Sequence, residues 1–244
     1  MKKILLGLLL GSTLFANSIN IAVAANVSYA IEELINEFNK LYPNTKVNVT
    51  LGSSGKLTAQ IKNGAPYDLF MSANMKYPHA LYQENIAITK PKIYAKGSLS
   101  LLSTTQRSFH KGIYLIDSML IKKIAMANPK TAPYGKATLE ALKNMNLYEK
   151  IQDKLIYGES ISQTVSYALI AADVGFIAKS SLYSPTMKKY KKNVHWIDVD
   201  SKLYTPIDQG IVMLKNKKGV EEFYNFILNS KAKTILKNYG YLIP

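Results

Sequence analysis

The chain has 244 residues, 48% of them hydrophobic, enough to bury a sizeable core in one large or two smaller domains. Its formal net charge of +15 raises nucleic acid as a partner, but Arg107 is the only arginine, and readers of bases and phosphates favour the bidentate guanidinium. The absence of cysteine excludes disulfides, thiolate metal sites and a lipid-modified cysteine.

In chain order, Met1-Lys2-Lys3, the apolar run Ile4 to Leu10 and the small residues up to Ala16 have the layout of a cleavable secretory leader, residues 1–16. The run is broken by Gly11, Ser12 and Thr13, short of the roughly 20 apolar residues that span a bilayer. Export to the periplasm, not as a lipoprotein, is the expectation. Ile19 to Ala24 then reads as a strand. Ser28 to Leu41 reads as a helix, because Ile31, Leu34, Ile35, Phe38 and Leu41 recur at helical spacing. Lys46 to Leu51 alternates as a strand, Gly55 to Lys62 follows as a helix, and Asp68 to Ala73 as a strand.

A second block repeats the pattern. Leu99 to Ser103 and Lys123 to Ala127 read as strands, Tyr134 to Met145 and Ser162 to Ala172 as helices, and Val174 to Ala178 as a strand. Gly210 to Leu214 is a further strand, and Val220 to Asn238 one or two helices. Such βαβ alternation implies mostly parallel sheets flanked by helices, an α/β fold. With no Pro/Gly/Ser linker in the chain, two lobes would be joined by ordinary strands, near Lys96-Gly97-Ser98 and Leu203-Tyr204-Thr205. The expected division is 17–97 with 204–244 as one lobe and 98–203 as the other.

Four times a strand ends in small or polar residues directly before a helix start: at Ala24 to Ser28, Gly52 to Gly55, Pro129 to Gly135 and Glu159 to Ser162. The first amides of a helix lack internal partners and sit at the positive end of its dipole. Small residues there let an anion reach the backbone without any charged side chain. Asn26, Ser54 and Ser162 could instead cap their own helices, the commonest role of such residues.

Other chemistries are less well matched. Gly52-Ser53-Ser54-Gly55-Lys56 has two residues between its glycines where a P-loop needs four. Ser53 and Lys56 have the S-x-x-K spacing of a serine hydrolase, but no S-D-N or K-T-G follows. His79, His110 and His195 are isolated, expected on the surface or in loops, and form no metal motif. Seventeen tyrosines leave ferric-ion binding through phenolates open; Tyr239 and Tyr241, at the C-terminus, read as packing or surface residues, and Trp196 as core.

Val23 to Ser28, Gly52-Ser53-Ser54-Gly55-Lys56-Leu57 and Asn63-Gly64-Ala65-Pro66-Tyr67-Asp68-Leu69-Phe70-Met71-Ser72-Ala73 resemble the N-terminal half of the molybdate-binding proteins of ABC transporters. The likeness continues through Asn128-Pro129, Ala132-Pro133-Tyr134-Gly135 and Phe223 to Gly240. It implies a two-lobed type II periplasmic-binding fold, a molybdate or tungstate ligand, no cofactor, no direct side-chain metal coordination, no catalysis and a membrane permease as partner. A monomer is expected. The family's oxyanion contacts fall on Asn26, Ser54, Tyr134 and Ile161, with Ser53, Gly55, Pro133 and Ser162 supporting them. Asn26 stands where the family has serine, and Ala178 where some members have a tyrosine. A sulfate-type oxyanion or ferric ion on the same fold, and a hydrolase using Ser53 and Lys56, are the alternatives.

Overall fold

The apolar runs and helical repeats become ten strands and eight α-helices in a computed structural model that describes residues 17–244. The expected leader, residues 1–16, lies outside the described residues. In chain order the elements are β1 (Asn17–Ala24), α1 (Ile31–Leu41), β2 (Thr45–Gly52), α2 (Ser54–Lys62), β3 (Leu69–Met71), α3 (Lys76–Gln83), β4 (Lys92–Gly97) and β5 (Leu99–Leu102). They continue with β6 (Ile124–Ala127), α4 (Pro133–Asn144), α5 (Tyr148–Ile151), β7 (Leu155–Gly158), α6 (Ile161–Ile170), β8 (Val174–Ala178) and β9 (Trp196–Asp198). The last are β10 (Ile207–Met213), α7 (Lys218–Leu228) and α8 (Ser230–Asn238).

Two five-stranded sheets result, in the orders β2-β1-β3-β10-β4 and β7-β6-β8-β5-β9. In each, four strands share a direction and one is reversed: β10 is antiparallel to β3 and β4, and β5 to β8 and β9. The sheets are therefore mostly parallel in direction yet mixed in pairing. The reversed strands are the first to enter a sheet after each crossing, the chain passing between Gly97 and Leu99 and back between Asp198 and Ile207.

Both faces of each sheet are apolar, as a helix-covered sheet requires. Along β1, Ile19, Ile21 and Val23 face one cluster with Phe38, Phe223 and Ile227, while Ala22 faces Leu57, Phe70 and Val212 on the other side. In β8, Val174, Phe176 and Ala178 pack toward Leu142 and Ile151, and Ile177 toward Val165 and Leu182. Phe38 meets Phe223 edge-on at 5.0 Å, closing α1 onto α7.

Several elements depart from the sequence pattern. The helix expected from Ser28 begins as a separate 3-10 turn, Ala25–Tyr29, before α1. α3, α5, β4, β7 and β9 carry too little periodicity to be read from sequence. Trp196, expected in the core, lies half-buried on edge strand β9, its indole N–H donating to the Tyr190 carbonyl at 3.1 Å.

Candidate functional site

The parallel strands of the two sheets bring four segment ends to one place. Asn26, Ser53 and Ser54 approach from the first sheet and Pro133, Tyr134 and Ile161 from the second, enclosing one small cavity with Ala24, Ala25, Gly52, Ala73 and Ala132. Its volume is about 10 Å³ measured to the centre of a water-sized sphere, room for about one water molecule. No side chain lining it is charged.

Each wall follows from its local sequence. β2 ends at Gly52 and α2 starts at Ser54, whose Oγ accepts a hydrogen bond from the Ala73 amide at 2.9 Å. That bond occupies the oxygen and leaves the hydroxyl hydrogen free to donate. α4 opens with Pro133, which has no N–H, so the first amide of the helix is that of Tyr134. Gly135 lets this turn sit on β6: a Cβ there would stand 2.2 Å from the Ala127 carbonyl oxygen. α6 is capped by Ser160, whose Oγ accepts from the Gln163 amide and leaves the Ile161 amide at the tip. No acidic residue occupies the first turn of α2, α4 or α6.

Asn26 is fully buried, and its Nδ2 donates to Gln209 Oε1 at 2.8 Å and to the Tyr241 hydroxyl at 2.9 Å. Its carbonyl accepts from Tyr241 at 2.8 Å and from Ser180 Oγ at 3.0 Å. Tyr94 also donates to Gln209 Oε1, at 2.8 Å. Burial pushes Tyr94, Tyr134 and Tyr241 well above the ordinary phenol value, and Tyr29 up to about 12 with its Ser162 hydrogen bond opposing the rise. These phenols are neutral hydrogen-bonding groups at physiological pH.

Gly55 and Ser162 hold the two sheets together around the cavity without lining it. The Gly55 amide donates across the gap to the Thr131 carbonyl at 2.9 Å, and Ser162 Oγ donates to the Ala25 carbonyl at 2.7 Å. Neither Asn26, Ser54 nor Ser162 caps its own helix. Lys56 of α2 pairs with Glu159, which follows β7. Ser53 Oγ is buried without a hydrogen-bond partner, so it is not hydrogen-bonded to Lys56. Ala178 is a buried β8 residue, with no hydroxyl to offer.

Sequence reading missed Gln209, Ser180 and Tyr94 altogether. It placed Tyr241 as packing or surface; Tyr241 is buried, and it also grips Asn26 from 215 residues away. Thr131 Oγ1 is a further buried hydroxyl without a partner. No local motif marks such residues, because their neighbours in space are remote in the chain.

The arrangement offers neutral N–H and O–H groups to a small guest. It suits an anion that only accepts hydrogen bonds, since no carboxylate lines the wall to repel it.

Residues 19–242 match the family of bacterial extracellular solute-binding proteins. The molybdate-binding protein ModA of Rhodobacter capsulatus is 34% identical over 93% of this chain and 89% of its own. That of Azotobacter vinelandii is 31% identical over 93% and 90%. The solved Azotobacter vinelandii periplasmic molybdate-binding protein superposes with a TM-score of 0.85 at 30% identity, covering 93% of this chain and 99% of its own. A buried, uncharged cavity between two α/β sheets and these likenesses agree: the chain belongs to the bacterial extracellular solute-binding proteins, in the family of the ModA molybdate-binding proteins.

Proposed function

We propose that this chain captures molybdate or tungstate in the periplasm and hands it to the permease of an ABC importer, acting as a monomer without catalysis. The carrying observation is the convergence of Asn26, Ser54, Tyr134 and Ile161 on one cavity with no charged side chain in its wall. In this reading Ser54 gives its free hydroxyl hydrogen, and Tyr134 and Ile161 give the first amides of α4 and α6. Asn26 contributes its side-chain amide. Donors supplied by the folded scaffold replace the hydration shell of a doubly negative guest.

Residues 17–97 with 204–244 act as one lobe and 98–203 as the other. The Gly55–Thr131, Ser162–Ala25 and Ser180–Asn26 hydrogen bonds support a closed state as one end of a hinge motion. The anion is larger than the narrow gap, so it holds the walls apart by an amount its size sets. Size, not charge, would then separate molybdate and tungstate from sulfate. Ferric ion is disfavoured, because the tyrosines nearest Asn26 are kept neutral by burial and spend their hydroxyls on amides.

Calorimetric titration of the mature chain with molybdate, tungstate, sulfate and ferric citrate tests the reading. Tight one-to-one binding of the first two and no heat from the others is expected. Equal binding of sulfate would refute size selection, and binding of ferric citrate alone would refute the oxyanion reading.

A further inference from the structure

One buried atom is at odds with an oxyanion site. Asn26 Oδ1 has no hydrogen-bond partner, while both Nδ2 hydrogens are committed to Gln209 and Tyr241. Asn26 lines the cavity, and Gln209 and Tyr241 do not. The amide therefore turns its donor end into the protein and leaves an acceptor on the cavity side. An acceptor facing an acceptor-only anion repels it.

The partners of Asn26 allow the opposite arrangement. Gln209 Oε1 accepts from Asn26 Nδ2 and from Tyr94, and Gln209 Nε2 donates to the Tyr134 hydroxyl at 3.4 Å. Reverse both amides and each bond made by their side-chain ends keeps its two partners with the roles exchanged. Gln209 Nε2 then donates to Asn26 Oδ1 and to the Tyr94 hydroxyl, and Tyr134 donates to Gln209 Oε1. Tyr241 gives up its bond to the Asn26 carbonyl and turns its hydrogen to Asn26 Oδ1, while Ser180 still serves that carbonyl. A hydroxyl can donate or accept, so the three phenols permit both states. The hydrogens left over are that of the Tyr94 hydroxyl, inside the protein, and those of Asn26 Nδ2, on the cavity side.

We propose that Gln209 is a positioning residue that sets which end of the Asn26 amide meets the ligand, the two amides reversing together when an oxyanion enters. The inference rests on the oxyanion reading above. Without a guest, the present state leaves one acceptor unpaired; the reversed state would leave donor hydrogens unpaired. An anion inverts that preference by bonding only to the reversed form. Asn26 is thereby a donor whose direction is set from Gln209, on the reversed strand β10.

Molybdate is titrated calorimetrically into the wild-type chain, Gln209→Met, Asn26→Ser and the double variant, with thermal melts to show that each folds. A serine hydroxyl turns its own hydrogen and needs no relay. Gln209→Met is expected to weaken binding by about tenfold in the Asn26 background and by less than about twofold in the Asn26→Ser background. A merely structural role for Gln209 would weaken both backgrounds alike, and that result overturns the proposal. So does wild-type affinity in Gln209→Met. If the wild-type chain does not bind molybdate, the underlying reading fails as well.

A second readout needs no variant: the side-chain amide NMR signals of both Asn26 and Gln209 should move on saturation of the wild-type chain with molybdate. A Gln209 signal that stays in place while Asn26 responds overturns the coupled reversal. Preferential binding of hydrogenphosphate, which carries a hydrogen for Oδ1, would also overturn it.

Discussion

Ser54 and Asn26 sit on the same wall of the cavity, yet they are prepared in different ways. Ser54 needs one contact: the Ala73 amide occupies its oxygen, and the hydrogen swings to whatever accepts it. Asn26 needs Gln209, Tyr241, Tyr94 and Ser180, because an amide has two unlike ends and must be held by one of them. The hydroxyl is aimed by its own rotation, the amide by a buried network. A group that cannot turn by itself has to be supported from further away.

The largest effect expected of any single change is at the supported donor. Asn26→Asp keeps the shape but replaces the donor with a charged acceptor facing the anion. Molybdate binding should fall at least a hundredfold in calorimetric titration, a like-charge contact costing several kcal/mol. Ser54→Ala comes next. It removes one donor from the guest and also strands the buried Ala73 amide, so affinity should drop about ten- to a hundredfold. The ligand-free protein should lose about 1–3 kcal/mol in denaturant unfolding. Unchanged stability would mean that the Ser54–Ala73 bond is not formed in solution.

Smaller effects are expected where the two sheets meet outside the cavity. A Cβ on Gly55 would stand 2.9 Å from the Thr131 carbonyl oxygen, so Gly55→Ala should loosen closure and weaken binding several-fold. Small-angle scattering should show a more open molybdate-saturated form. Glu159→Gln breaks the Lys56 pair, whose side chains are both half-exposed. Such pairs contribute about 0–1 kcal/mol, so affinity should change less than about fivefold, and the difference should vanish in high salt.

The pH dependence should divide in the same way between cavity and surface. No carboxylate or histidine lines the cavity, and the phenols around it stay neutral, so affinity should be flat between about pH 6 and 9. Stability should not be flat. Burial alone would raise the Asp198 carboxyl, but Lys192 and Lys179 outweigh it and hold the group below its usual value. A depressed carboxylate stabilises above its unfolded value, and that stability is lost as pH falls through the folded one. Asp198→Asn should flatten the acid limb of a melting-temperature profile. The buried tyrosines act in the other direction: their raised values stabilise below about pH 10, and that contribution fades as pH rises through the folded values.

Much of this site was legible in the residues. Helical spacing placed α1 and α4, and small residues before a helix start marked Ser54, Tyr134 and Ile161, because a backbone site leaves a local signature of caps, prolines and glycines. The lines of support did not show. Tyr241 follows α8 with no pattern to distinguish it from a packing residue, and Gln209 reads as one polar residue in an apolar strand. α3, β4 and β9 escaped for a related reason: tertiary packing, not periodicity, holds short elements.

The amino-acid order by itself determined an α/β chain of two similar blocks and the segments whose backbone could meet an anion, since periodicity and turn chemistry act over a few residues. Folding alone decided that those segments share one cavity, that Ser162 and Gly55 tie the two sheets together and do not line it, and that the Asn26 side chain is held by Gln209 and Tyr241. Those outcomes depend on groups up to 215 residues apart, and the hydrogen bonds that decide them exist only when both partners are buried together.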